Sequence, residues 1–227
     1  MRIKGAIFDM DGLLVDSERM MLAVNRLYSA RTGIDFEALM PQLTGSNSAD
    51  AERICKSHFG QDFDYCAMRR ERLALADAYM AENGLRVMPG VRRLLACMRE
   101  LGINWIVASS SDRALVDKRL LAAGIAADFP LAVTGDMVRR GKPDPEIFLL
   151  AAETLGTRPG ETAVFEDSYN GVYAGINGGF VTCMVPDLYP ATDGIRESGV
   201  QVFGSLLDAI AFIRGEHPPK TVDKKNK

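Results

Sequence analysis

Short apolar runs, each stopped abruptly by polar residues, set the rhythm of this chain. Residues 3–8 (IKGAIF) run into Asp9, 104–108 (NWIVA) into three serines, and 162–165 (TAVF) into Glu166-Asp167. Residues 131–134 (LAVT) and 181–185 (VTCMV) are two more. Unbroken apolar runs of this length predict strands covered on both faces, as in a parallel sheet. Helical spacing fills the gaps. Val91, Leu94, Leu95, Met98 and Leu101 share one face before Gly102; Leu115, Val116, Leu120 and Ala123 precede Gly124; Phe148, Ala151, Ala152 and Leu155 precede Gly156. Strands alternating with helices predict an α/β, doubly wound parallel sheet that binds its ligand at the carboxyl ends of the strands.

One stretch breaks the alternation. Between residues 16 and 85, Met20, Met21, Val24, Leu27 and Tyr28 have helical spacing, as do Met68, Leu73, Ala76, Tyr79 and Met80, and no strand pattern intervenes. The simplest expectation is a helical insertion able to close over the sheet edge. Residues 1–15 and 86–215 would then form the core, 16–85 the inserted domain, and 216–227, rich in Pro and Lys, a flexible tail.

Composition narrows the reading. With 227 residues, 47% of them hydrophobic, the chain can bury a sizeable core. Its net charge of -3 argues against a nucleic-acid partner, and no apolar run approaches membrane-spanning length. Cys55, Cys66, Cys97 and Cys183 are scattered without a CxxC pair, and the N-terminus enters a strand at once, with no signal-peptide pattern. Reduced thiols in a cytoplasmic protein, monomeric or weakly dimeric, are expected.

Polar clusters at the strand ends carry the candidate chemistry. In Asp9-Met10-Asp11-Gly12 the carboxylates at i and i+2 can divide labour. One attacks as a nucleophile and the other moves protons, since neighbouring carboxylates push one pKa upward. An Asp-rich turn after a strand reads the same way. Glu166-Asp167 would supply oxygen ligands to Mg²⁺, Asp167 directly and Glu166 through water; alternatively Asp167 or Ser168 caps a helix. Ser109 and Ser110, ahead of Ser111-Asp112, form a candidate anion cradle at a helix start, or ordinary N-caps. Lys142, in Gly141-Lys142-Pro143-Asp144-Pro145, can neutralise a phosphate and hold Asp9 ionised, or be a solvated turn lysine.

Together the four segments FDMDGLLVDS, VASSS, GKPDPEIF and VFEDSYNGV resemble the motif set of the haloacid dehalogenase superfamily, and the likeness runs from Ile3 to about Ile213. The branch it resembles holds β-phosphoglucomutase and phosphatases of phosphoglycolate, sugar phosphates and pseudouridine 5'-phosphate. The resemblance implies a Rossmann-like core with an inserted α-helical cap and a Mg²⁺-dependent phosphatase acting on a small phosphorylated metabolite. It also implies that Asp9 is the nucleophile and Asp11 the general acid/base. Lys142 and Ser109 would bind the transferring phosphoryl group, and Asp9, the Asp11 carbonyl and Asp167 would hold the metal. It further implies a cis Lys142-Pro143 bond. Thr44, Gly45, Ser46, Asn47 and Ser48 match the family's cap loop and would face the substrate; a plain interhelical turn reads the same.

Three competing readings bear on this assignment. A dehalogenase of this fold lacks the second carboxylate, so Asp11 argues against one. A phosphonatase needs a cap lysine, and the predicted cap holds only Lys56. A non-catalytic phosphometabolite-binding protein would not need every catalytic position intact. Within the enzyme reading, mutases of this branch carry a histidine about a dozen residues after the nucleophile and a cap arginine three residues after the loop glycine. Here the first region reads Glu18-Arg19-Met20-Met21 and Gly45 is followed by Ser46, Asn47 and Ser48. Net hydrolysis is therefore expected over isomerisation, with Arg53 as the one candidate substitute cation.

Overall fold

The computed structural model describes residues 3–36, 39–43 and 46–216. Six parallel strands form one sheet: β1 (Gly5–Phe8), β2 (Asn104–Ser109), β3 (Ala132–Thr134), β4 (Thr162–Glu166), β5 (Val181–Met184) and β6 (Gln201–Val202), in the order β3-β2-β1-β4-β5-β6. The pattern predicted five. The sixth holds two residues, too few for any periodicity to register, and pairs Cys183 with Gln201 at the sheet edge.

The apolar runs lack alternation because both faces of the sheet are covered. Along β1, Ile7 points to one face and packs with Ile147, Phe148, Ala151 and Ala152 of the helix α7 (Glu146–Leu155). Its neighbours Ala6 and Phe8 point to the other. There they meet Val91, Leu94, Leu95 and Met98 of α5 (Val91–Glu100) and Val116 and Leu120 of α6 (Arg113–Ala122). Phe8 stacks on Phe165 across the β1–β4 pair with ring centroids 5.0 Å apart. Three further helices complete this layer structure: α8 (Tyr169–Asn177), α9 (Asp193–Glu197) and α10 (Ala209–Ile213).

Between β1 and α5 lie α1 (Ser17–Thr32), α2 (Met40–Leu43), α3 (Ser48–Phe59) and α4 (Tyr65–Asn83), with no strand among the described residues. This helical cap has its own small core of Tyr28, Phe36, Leu39, Cys55, Tyr65 and Met68. Met20, Val24, Ala76 and Met80, at the other ends of α1 and α4, join the main core instead. The cap is thereby rooted on the sheet domain by two long helices. The architecture is the expected α/β, Rossmann-like doubly wound sheet with an inserted helical cap.

Strand order also locates the ligand site. The chain leaves β1 toward β2 on one side and returns to β4 on the other, so the crevice beyond the carboxyl end of β1 lies at the topological switch point. Asp9 extends β1 by one hydrogen bond, Asp9 N to Phe165 O at 3.0 Å. Beyond it, residues 10–15 fold into a tight turn held by Leu14 N and Val15 N on Met10 O, with Met10, Leu13, Leu14 and Val15 all buried. That turn is a rigid launch for the cap rather than a loose linker.

Candidate active site

The sequence places each polar cluster at a strand end, and the fold brings them together. Asp9, Glu166 and Asp167 are all buried, with carboxylate oxygens within 4.8 Å of one another. Lys142 reaches into this group. Its Nζ donates to Asp9 Oδ1 at 2.5 Å, to Glu166 Oε1 at 2.5 Å and to Ala108 O at 3.2 Å, and it lies 4.8 Å from the Phe148 ring centroid. Only 3% of Lys142 is exposed. Burial alone would favour the neutral amine. Two carboxylates at hydrogen-bond distance outweigh it and hold the ammonium above the ordinary lysine value.

The loop that delivers Lys142 is fixed at both ends. Glu146 accepts the backbone N–H groups of Arg139 and Arg140 at 3.0 Å each, and Asn177 Nδ2 donates to Pro143 O at 3.1 Å. Lys142-Pro143 is cis, as the resemblance implied.

Glu166 is occupied on both oxygens. Besides Lys142 on Oε1, its Oε2 accepts from Asp167 N, Ser168 N and Ser168 Oγ at 3.1, 3.1 and 2.9 Å. Ser168 in turn caps α8 by accepting from Gly171 N at 3.1 Å. The two readings of Glu166-Asp167-Ser168 therefore coexist: Ser168 is the N-cap, which leaves Asp167 to turn into the cluster. Two glycines make room for this packing. A Cβ on Gly171 would collide with the Glu166 carboxylate, and one on Gly12, whose φ is +79°, would collide with that of Asp167.

The balance of charge favours a cation. Burial, with Glu166 and Asp11 nearby, pushes Asp9 up to about 8 although Lys142 is bonded to it. Burial beside Glu166 and Asp9 raises Asp167 well above the carboxylate range. Three buried carboxylates against one ammonium leave uncompensated negative charge in an all-oxygen donor set, which fits a hard divalent ion.

Asp11, the second carboxylate of the pair, stands 18% exposed at the edge of the cluster. Its Oδ1 accepts from Ser17 Oγ at 2.6 Å and from Arg119 Nη1, and its Oδ2 accepts from Ser111 Oγ at 3.2 Å. Ser109 is buried at the end of β2 and its hydroxyl accepts from Ser111 N at 3.2 Å. Asp112 is the N-cap of α6, accepting from Leu115 N at 3.0 Å, so the serine run is both helix start and cavity wall.

A cavity of about 180 Å³ lies between these strand ends and the cap, with Asp9, Asp11, Ser109, Ser110, Ser111 and Asp167 on the core side. Ser46, Asn47 and Ser48 of the predicted cap loop line it. Asn47 also caps α3 by accepting from Asp50 N at 2.9 Å, and its amide abuts Gly141, beside Lys142. Thr44 and Gly45 lie outside the described residues.

Four charged cavity residues were not assigned to the site by the sequence reading: Glu18, Arg69, Arg72 and Arg119. The choice of Arg53 as the candidate cap cation is corrected here. Arg53 is exposed and pairs with Asp50, but Arg69 and Arg72 of α4 do reach the cavity. Arg69 is paired with Asp112 across the cap–core boundary at 2.6 Å. Arg72 donates Nε to Asn25 Oδ1 at 2.8 Å and lies 5.1 Å from the Phe36 ring centroid. Burial beside Asp11 raises Glu18 to about 7, in the stretch where the mutases carry histidine. A signal was present: Arg119 stands three residues after Val116, and Arg72 four after Met68, each on its helix's buried stripe.

A doubly wound sheet whose switch point holds two carboxylate pairs, one shared lysine and a serine loop defines a class of hydrolases acting on anionic groups. Residues 3–179 match the haloacid dehalogenase-like hydrolase family, and the chain belongs to it. It is similar to hexitol phosphatase A of Escherichia coli K12, 35% identical over 94% of this chain and 96% of that protein. A phosphorylated carbohydrates phosphatase of Thermotoga maritima is 30% identical over 78% of this chain and 82% of that one. In fold it resembles the crystal structure of CbbY from Rhodobacter sphaeroides in complex with phosphate, with a TM-score of 0.76 and 24% identity over 91% of this chain and 96% of that one. The protein is an enzyme of the phosphoric monoester hydrolase class of this family.

Proposed function

We propose that the protein is a Mg²⁺-dependent phosphatase that hydrolyses a small sugar or sugar-alcohol phosphate through an aspartyl-phosphate on Asp9. The observation that carries this reading is the single ammonium of Lys142 bonded to both Asp9 and Glu166 at 2.5 Å, with Asp167 alongside. Such a lysine aims the Asp9 carboxylate and presents positive charge to an incoming phosphoryl group. Asp9 then attacks phosphorus as the bond to the leaving oxygen breaks, and Asp11 gives that oxygen its proton. In the second half Asp11 takes a proton from water, which attacks the aspartyl-phosphate and releases inorganic phosphate. Ser109 and Ser110 bind the transferring group. Asp9, Asp167 and the Asp11 carbonyl would hold Mg²⁺, which supplies further neutralisation of phosphoryl charge when bound. On this reading Glu166 anchors Lys142 and the start of α8 and acts on the metal only indirectly.

The sugar-like substrate rests on the relatives' activities and on the polar cap loop. Residues 16–85 act as the cap and 1–15 with 86–215 as the catalytic core. No described helix is long and apolar enough to cross a membrane, and the described cysteines are free; a cytoplasmic location is part of this proposal.

Two experiments test the reading. EDTA is expected to abolish phosphate release and Mg²⁺ to restore it. Ca²⁺ should inhibit, because it takes more ligands at longer distances and disturbs in-line geometry. Full activity in EDTA would remove the metal from the reading. A panel of hexitol and hexose monophosphates should yield inorganic phosphate with no bisphosphate activator. Arg69 and Arg72 favour one other outcome, since they offer cap cations for a second phosphate. Conversion of β-glucose 1-phosphate to glucose 6-phosphate with little free phosphate would establish the mutase.

A further inference from the structure

We propose that Arg119 is the positioning residue of the acid/base, locking the Asp11 carboxylate so that one chosen oxygen faces the phosphate-binding loop. The inference rests on the phosphatase reading above and goes beyond it. Arg119 lies on the buried stripe of α6, 6% exposed, where Val116 and Leu120 pack into the core. Its hydrogen bond runs from Nη1 to Asp11 Oδ1, and its Nε is buried with no partner among the described residues. A buried arginine that leaves a donor unmade is a poor structural choice, because an apolar side chain of similar size serves a core as well or better. Its placement makes sense through Asp11.

The geometry at Asp11 divides its two oxygens. Oδ1 takes both Arg119 Nη1 and Ser17 Oγ, the latter at 2.6 Å, while among the described residues Oδ2 takes only Ser111 Oγ at 3.2 Å. Oδ1 is thus saturated. Oδ2 carries the weaker bond and lies on the side of Ser109, Ser110 and Ser111, where the substrate phosphate is expected. Oδ1 can accept from Arg119 whether or not Oδ2 carries a proton, more strongly when the carboxylate is ionised, so the contact is available before and after each proton transfer. The proton passes from Asp11 Oδ2 to the leaving oxygen as its bond to phosphorus breaks, and returns from water in the second half-reaction. Without Arg119 only two serine hydroxyls hold the carboxylate against rotation about χ2.

The test uses leaving groups. In single turnovers with enzyme in excess, the first phosphoryl transfer is followed for glucitol 6-phosphate, whose alkoxide needs a proton. It is compared with p-nitrophenyl phosphate, whose phenolate leaves without one. Arg119→Met should slow the first step for glucitol 6-phosphate about 100-fold and for p-nitrophenyl phosphate by less than about 3-fold. Its KM should be little changed. Arg119→Lys should restore part of the loss and keep the same selectivity, and it decides the matter where the Met variant fails to fold. Equal losses on both substrates, a raised KM with an unchanged step, or no loss at all would overturn the assignment. A wild type that transfers no phosphoryl group from either compound overturns the phosphatase reading, and this inference with it. Unselective losses in an active wild type overturn the inference alone.

Discussion

Replacing Asp9 by asparagine is expected to cut turnover by about 10⁴-fold or more while leaving the fold intact. The amide keeps the shape and still offers an oxygen to Lys142 Nζ, but it cannot attack phosphorus. Stability supports the choice of variant. Burial holds the Asp9 pKa near 8 against an ordinary 3.8, so the ionised carboxylate is unfavourable in the metal-free fold. A neutral side chain there removes that burden. The metal-free variant should therefore melt at or slightly above the wild-type temperature near pH 7, and Mg²⁺ should raise its melting point less than it raises that of the wild type. Phosphate release, circular dichroism and thermal melts with and without Mg²⁺ check all three. Near-native turnover by a folded Asp9→Asn protein would end the covalent mechanism.

Lys142→Met should damage both stability and activity. Methionine fills the space but leaves Asp9, Glu166 and the Ala108 carbonyl without their shared donor. Breaking a buried pair by removing one partner costs about 3–5 kcal/mol, and loss of the phosphoryl-facing charge should lower kcat by about 10²–10³-fold. The stability deficit depends on pH in a definite direction. Asp9 already titrates near 8 with the ammonium present, and without it the carboxyl holds its proton more tightly still. An unfolded chain ionises the same group near 3.8, so the folded variant loses stability as pH rises above that value. Asp9 keeps its proton in both folded proteins up to about pH 8, so the two lose stability in parallel to that point. Above it the wild type can ionise Asp9 beside the ammonium and the variant cannot. Urea melts should therefore differ by a constant amount below about pH 7 and separate further above pH 8. A deficit that stays constant above pH 8, or one that grows in acid, would show that Lys142 is not compensating these carboxylates.

The relation between chain order and space explains which residues were legible. Asp9, Ser109, Lys142, Glu166 and Asp167 each end or follow a strand or precede a helix, and a parallel sheet sends such junctions to one edge. Their convergence follows from topology that apolar runs already display. Glu18, Arg69, Arg72 and Arg119 follow no such rule. They sit inside helices, and whether a charged residue in a helix meets solvent or a cavity depends on what packs opposite. For Arg119 that is Asp11, 108 residues away in the chain.

What the sequence determined by itself was the sheet, its double covering, the helical insertion and the polar residues at the strand ends. Unbroken apolar runs and 3.6-residue stripes are local consequences of burial, and burial is what the sequence encodes most directly. Only the tertiary structure decided the division of roles within a motif. Ser168 caps α8 and so releases Asp167, Glu166 spends both oxygens on Lys142 and the helix start, and Asp11 is gripped by three side chains from two distant segments. It also put arginines of α4 into a cavity wall that the cap loop alone appeared to lack, and added the two-residue strand β6. These outcomes depend on distances of an ångström or two between groups far apart in the chain. Such distances are set by how whole helices pack, which no local pattern records.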